Sequence, residues 1–202
     1  MNALLLIDIQ NDFMPGGSLE VANGDKIVAI ANTLQPQFDL VLATQDWHPK
    51  DHASFASNHK GQKEFEEIDL DGLIQTLWPD HCVQGTKGAE FHSDLDTQHI
   101  EAIFRKGTNS TIDSYSAFYD NAHKKSTGLS GYLKEKGVTT LYVMGLAGDI
   151  CVYYSVKDAL HEGFSCVLIE DGTKALDQET FRKQKKELQE KGVDYVYAKD
   201  GL

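Results

Sequence analysis

The chain reads as an α/β protein: three layers, α/β/α, around a central, mainly parallel six-stranded sheet. Three observations predict this. Short apolar runs recur along the chain, they are nearly continuous rather than alternating, and helical patterns fall between them. Continuous runs suit strands buried on both faces, and strands that alternate with helices suit parallel crossover connections.

Residues 3–7 (ALLLI) are the first predicted strand and residues 40–43 (LVLA) the second. Residues 100–104 are a weaker third, followed by 141–144 (LYVM), 166–169 (CVLI) and 195–198. Between them, residues 24–34 place Ile27, Ile30 and Leu34 on one helical face. Residues 129–136, 151–161 and 177–191 each run into a glycine (Gly137, Gly163, Gly192), a helix-stop signal. The basic cluster over residues 182–186 reads as a solvated helix face. Residues 45–93 break the alternation. They are rich in His, Asp, Gly and Pro, yet carry Trp47, Phe55, Phe65, Trp78 and Phe91, which argues against disorder. A long irregular segment of this kind is expected to carry function.

At 202 residues with no evident linker, one domain over residues 1–202 is expected, with the irregular segment inside it. Hydrophobic residues make up 41% and charged residues 25%, enough for a core without disulfides. Nineteen Lys and Arg against 31 Asp and Glu leave a net charge of −12, which argues against nucleic acid or an anionic membrane as partner. No apolar run approaches the ~18 residues of a membrane span. The N-terminus lacks the basic region of a signal peptide. The three cysteines, Cys82, Cys151 and Cys166, read as reduced thiols of a cytoplasmic protein.

In open α/β sheets, sites lie beyond the carboxyl ends of the strands. The first strand ends at Asp8, and the second runs into Asp46, Trp47 and His48. The third ends at Arg105 and Lys106, and the fourth passes through residues 145–148 into Asp149, Ile150 and Cys151. Cys151 falls where a glycine-rich turn becomes a helix. The free N–H groups there favour a thiolate and could hold an oxyanion. Asp8 suits a general base for that thiol, with Lys106 supplying the charge that keeps it ionised. Asp46 and His48 resemble a metal-ligand pair to which His52, His81 and Cys82 could add. His52, His59, His92, His99, His123 and His161 each read more readily as surface or hydrogen-bonded histidines than as ligands.

These residues lie in five segments: ALLLIDIQNDFMPGGSL from Ala3, TQDWHPKDHASFASNH from Thr44, LWPDHCVQGTKGAEFH from Leu77, RKGTNSTIDSYSAFYDN from Arg105 and GLAGDICVYYSVKDAL from Gly145. Together they resemble the nicotinamidases, or pyrazinamidases, of the isochorismatase-like cysteine hydrolases, from end to end. The resemblance implies the isochorismatase-like hydrolase fold and a catalytic triad of Asp8, Lys106 and Cys151. It implies a divalent metal on Asp46, His48 and His81, zinc first and iron(II) or manganese(II) as alternatives. His52 would then be a fourth ligand or act through water.

It also implies an oxyanion hole from the N–H groups of Ala147 and Cys151, with a cis peptide between Leu146 and Ala147. Phe13, Leu19, Trp78 and Tyr115 match positions that shape a pyridine pocket, with core packing the alternative, above all for Leu19. The implied reaction turns nicotinamide into nicotinate and ammonia, with pyrazinamide a further substrate and a homo-oligomer an open expectation. Two alternatives are another small amide or carbamoyl substrate, and a non-catalytic metal- or ligand-binding module. The sequence departs from the family at Gly148, where many members carry Thr, and at Ile150, where many carry an aromatic residue or His. The first could loosen the oxyanion loop, and the second removes a polar neighbour of the thiol.

Overall fold

A computed structural model describes residues 1–201; Leu202, at the end of the expected domain, lies outside the described residues. The strands are β1 (Asn2–Ile7), β2 (Leu40–Asp46), β3 (Glu67–Leu70), β4 (Leu73–Thr76), β5 (Ile100–Lys106), β6 (Thr140–Gly145), β7 (Ser165–Thr173) and β8 (Asp194–Val196). Six of them form one sheet in the order β5-β2-β1-β6-β7-β8, and every pair in it is parallel. All six predicted strands are present, each within a few residues of its expected bounds. β5 alternates between half-buried and exposed because it is an edge strand, which is why its apolar signal is weak.

The helices are α1 (Lys26–Leu34), α2 (Leu129–Glu135), α3 (Tyr153–His161) and α4 (Gln178–Glu190). The pleat of β1 sorts its side chains between two cores. Ala3, Leu5 and Ile7 pack with Leu129 and Leu133 of α2, Val156 of α3, and Phe181 and Leu188 of α4. Leu4 and Leu6 face the other way, toward Ile27, Val28, Ala31 and Leu34 of α1. Helices thus cover both faces of the sheet, α2, α3 and α4 on one and α1 on the other, which makes the three layers. Asp177 caps α4 by accepting from the Glu179 N–H at 2.9 Å, a contact worth about 1 kcal/mol.

Two expectations change. Residues 151–161 are not one α-helix. Gly148–Val152 form a π-helical turn, and α3 starts only at Tyr153. Residues 45–93 are not wholly irregular, because β3 and β4 pair as an antiparallel hairpin. Its two-residue turn, Asp71-Gly72, has φ of 52° and 84°, as a tight hairpin turn requires.

The chain fills β1, β2 and β5 toward one edge, then returns to β6 beside β1 and continues to the other. The reversal falls between β1 and β6, and a crevice opens beyond their carboxyl ends. Gly145, at the end of β6 with φ 136°, keeps that junction tight, since an added Cβ would overlap the Ile7 carbonyl.

Candidate active site

Four adjacent strands deliver polar residues to this crevice. Asp8 follows β1, Asp46 and Lys106 end β2 and β5, and the turn after β6 carries Cys151. All four are buried. Lys106, a residue type usually solvated at a strand end, lies at 2% exposure as the hub. Its Nζ is 2.8 Å from Asp8 Oδ2 and 2.9 Å from Asp46 Oδ1. It also donates to the Ser114 carbonyl at 3.1 Å and to Cys151 Sγ at 3.3 Å. Burial penalises the Lys106 ammonium, but Asp46 and Asp8 outweigh that and push the group well above its ordinary value.

The two carboxylates respond differently. Burial dominates at Asp8 and, despite Lys106, raises it. Asp46 is also penalised by burial, but His48 and Lys106 hold it well below the usual carboxylate range. A raised carboxyl is the better proton acceptor and a depressed one the better permanent anion, so the two can divide proton transfer from metal binding. Asp8 has φ 48° and is pinned by Thr44, whose hydroxyl donates to Oδ1 at 2.6 Å.

Cys151 corrects one expectation. Burial lifts its thiol well above the ordinary value, with Lys106 pulling the other way. The resting sulfur therefore keeps its proton and needs a base, even at the start of a helical segment. The Leu146–Ala147 peptide is cis. No hydrogen bond engages the Ala147 N–H among the described residues. The Cys151 N–H lies in the first turn of the helical segment, where backbone donors lack helical partners.

Beside this cluster, one donor atom each from Asp46, His48 and His81 lies within 4.8 Å of the others. His48 Nε2 is 2.9 Å and His81 Nε2 3.4 Å from Asp46 Oδ2. The outer nitrogens fix both rings. His48 Nδ1 donates to the Gly107 carbonyl at 3.0 Å and His81 Nδ1 to the Pro79 carbonyl at 2.8 Å. A carbonyl only accepts, so Nδ1 carries a proton in each ring, which leaves Nε2, facing Asp46 Oδ2, as the atom each ring can offer a metal once it is free of its own proton. Two imidazoles and a carboxylate fit a divalent ion. His52 is fully buried as well, its ring centroid 4.4 Å from that of His48. Burial pushes it down to about 4, which keeps it neutral. Cys82 is buried next to His81 but contributes no atom to this group.

Phe13, Leu19, Trp78 and Tyr115 line a small cavity with Ala147 and Ile150. Asp46, His81, Asp113, Leu176 and Cys151 complete the lining, so sulfur, candidate metal ligands and aromatic walls meet in one space. Leu19 is buried and also forms a wall. The Tyr115 hydroxyl is fixed by Gln75 Nε2 at 3.0 Å and Trp78 Nε1 at 3.3 Å, tying β4 to the cavity. A wider cleft with mostly polar lining runs past Lys106, Gly107 and Ser114. The Gly107 and Ser114 carbonyls already serve His48 and Lys106.

The departures at residues 148 and 150 have visible consequences. Gly148 is not loose: its N–H donates to the Lys174 carbonyl at 2.7 Å. A Cβ there would stand 3.0 Å from the Phe181 ring, so Phe181 occupies the space a Thr side chain would need. Ile150 makes its stretch of the cavity wall apolar.

Sequence reasoning missed several supporting residues. Gln10 extends the sheet with its side chain. Its Oε1 accepts from the Asp46 N–H and its Nε2 donates to the Asp46 carbonyl, both at 2.8 Å. Asp12 accepts from the Cys82 N–H at 2.7 Å and so anchors the His81 segment. Gly107, at φ 64°, lies against His48, and a Cβ there would overlap the imidazole. Gly107→Ala is therefore expected to displace His48 and weaken zinc binding at least about 10-fold, the scale of a lost supporting contact. Chelator competition reads this directly, and parent-level affinity would contradict it.

Comparison with known proteins follows the same line. The isochorismatase domain model matches residues 2–199. A nicotinamidase of Acinetobacter baylyi is 49% identical over 175 residues, covering 87% of this chain and 82% of that protein. The structure of an Acinetobacter baumanii nicotinamidase–pyrazinamidase superposes with a TM-score of 0.96 at 46% identity, over 100% of this chain and 98% of that one. A Pyrococcus horikoshii pyrazinamidase solved with zinc gives 0.80 at 34% identity, over 97% and 98%. With a family match across nearly the whole length and a relative close to half identical, the chain belongs to the isochorismatase domain family.

Proposed function

We propose that this chain is a nicotinamidase, hydrolysing nicotinamide to nicotinate and ammonia through a thioester on Cys151. The observation that carries the reading is the buried hub. One ammonium, Lys106, touches the sulfur, the raised carboxyl of Asp8 and the metal-binding carboxylate of Asp46, beside an aromatic-walled cavity. The nicotinamidases among the chain's relatives support the substrate. Pyrazinamide, which differs by one ring nitrogen, is expected to be turned over as well.

Asp8 takes the Cys151 proton, and Lys106 stabilises the charge left on sulfur. The thiolate attacks the amide carbon, and the N–H groups of Ala147 and Cys151 receive the developing oxyanion, each worth roughly 3–4 kcal/mol. Asp8 returns its proton to the leaving nitrogen, the C–N bond breaks, and ammonia departs. A thioester to Cys151 remains. Water, deprotonated by Asp8, then attacks its carbonyl, releasing nicotinate and restoring the thiol. Phe13, Trp78 and Tyr115 hold the aromatic ring. Asp46, His48 and His81 would hold a divalent ion, zinc first, which supplies a Lewis acid for a ring nitrogen.

The test is ammonia release from nicotinamide before and after chelation. Release that falls on metal removal and returns with Zn2+, Fe2+ or Mn2+ is expected. No release by metal-loaded protein would overturn the substrate assignment, and release unchanged after verified metal removal would overturn the metal's role.

A further inference from the structure

The carboxylate of Asp149 has no part in the chemistry derived above, although it lies two positions before Cys151. It is buried. Its Oδ1 accepts from the Leu176 N–H and its Oδ2 from the Asp177 N–H, both at 2.9 Å. Burial raises this carboxyl above its ordinary value, and those two N–H groups pull the other way. A buried carboxylate is costly unless donors match it. Two consecutive backbone N–H groups, one on each oxygen, do so here.

What Asp149 binds is the connection between β7 and α4, and further bonds join the same two segments. The Gly148 N–H donates to the Lys174 carbonyl at 2.7 Å, and the Lys174 N–H reaches the Gly145 carbonyl at 3.4 Å. From α4, Gln184 Nε2 donates to the Asp149 carbonyl at 3.0 Å. Within the turn, the N–H groups of Ile150 and Val152 both fold back to the Ala147 carbonyl at 3.1 Å, one on either side of Cys151 in the chain. The turn after β6 is thus braced by the β7–α4 connection. Ala147 and Cys151, whose N–H groups are the candidate oxyanion donors, line the cavity.

We infer that Asp149 is a positioning residue for the oxyanion hole. By gripping the Leu176 and Asp177 N–H groups, its side chain fixes the spacing of the Ala147 and Cys151 N–H groups and keeps Leu176 in the cavity wall. It acts through the turn that carries those donors and touches no reacting atom. An oxyanion hole works because its donors are aimed before the charge develops. Two N–H groups four positions apart on one short turn need an external brace to hold that aim. The inference rests on the reading of Cys151 as nucleophile and of these N–H groups as its oxyanion donors.

Binding of pyridine-3-carbaldehyde to the zinc-loaded protein, read by 13C NMR of its labelled carbonyl carbon, tests this without turnover. Cys151 adds to the aldehyde: an S–C bond forms, the S–H proton passes to Asp8, and the carbonyl oxygen becomes a tetrahedral alkoxide held by the hole. 3-Methylpyridine fills the ring site but has no carbonyl. In Asp149→Asn one oxygen becomes an NH2 group that meets a backbone N–H donor to donor. Aldehyde affinity is expected to fall about 10–100-fold, short of the ~10^2–10^3 lost with a whole donor, and 3-methylpyridine affinity to change far less. With nicotinamide, kcat should fall while KM changes little.

Gln184→Met is the milder variant should Asp149→Asn fail to fold. It removes only the bond from α4 to the Asp149 carbonyl, and a loss of about 2–10-fold in aldehyde affinity is expected. Equal losses for the two ligands would make Asp149 a support of the ring wall alone and overturn the inference. Parent affinity for the aldehyde in either folded variant overturns it too. A parent protein that binds 3-methylpyridine but forms no adduct overturns the nucleophile reading itself, which separates that failure from this one.

Discussion

Cys151→Ala is expected to lower nicotinamide hydrolysis by about 10^4-fold or more while leaving zinc content unchanged. Removing the nucleophile of an acyl-transfer enzyme costs on that order because the remaining groups act only in concert with it. The sulfur is 3.3 Å from Lys106 Nζ and is not among the atoms grouped around the metal site, so its loss should not empty that site. Truncation removes one atom from the wall of an existing cavity, so the fold should tolerate it. Ammonia release and zinc stoichiometry on the same preparation check both halves. Parent-rate release by the variant would remove the thioester route. In the parent, alkylation should fall on Cys151, because it lines the cavity, whereas Cys82 and Cys166 are buried away from it.

Lys106→Met should cost both stability and activity. The ammonium is the shared counter-ion of two buried carboxylates at 2.8 and 2.9 Å. Methionine fills the volume but leaves both anions unbalanced, and breaking a buried pair this way costs about 3–5 kcal/mol. For a chain of this size that is a fall of roughly 10 °C in Tm. The loss should be largest near neutral pH. In the variant Asp8 loses the charge that opposes its burial, so its folded value rises further above its unfolded one. Folding with a protonated Asp8 then carries no penalty at low pH, and the penalty appears as pH climbs through the unfolded carboxyl range. Activity should fall about 10^3-fold, since the thiolate loses the cation that contacts it. Thermal unfolding over a pH series and ammonia release are the measurements. A variant matching the parent in both would show that the hub is not the organising element.

The parts of this architecture legible in sequence share a physical cause. Strands buried on both faces leave continuous apolar runs, and a polar residue ending such a run announces a site, as Asp8, Asp46 and Cys151 do. Lys106 was weaker because its strand is an edge, where half the side chains meet solvent. The β3–β4 hairpin was overlooked although Asp71-Gly72 is a hairpin signal, since its flanks EIDL and LIQT mix charged and apolar residues. Gln10, Gly107 and Asp113 carry no local signature at all. Gln10 matters because of where β1 exits relative to Asp46, Gly107 because His48 packs on it, and Asp113 because a long loop folds it into the cavity wall. The Thr that Gly148 replaces could be noticed in sequence, but the side chains that crowd the position, Phe181 and Thr173, lie 33 and 25 residues further on. Cys151 and Val152, which belong to the π-helical turn Gly148–Val152, read as the start of an α-helix because both helix types present the same apolar pattern over so few residues.

The most direct test of the account is the stoichiometry of products from nicotinamide with purified, zinc-loaded protein. Nicotinate and ammonia are expected in equal amounts, continuing over many turnovers and abolished in Cys151→Ala. Bound nicotinamide with neither product formed, or ammonia from a different amide and none from this one, would contradict it.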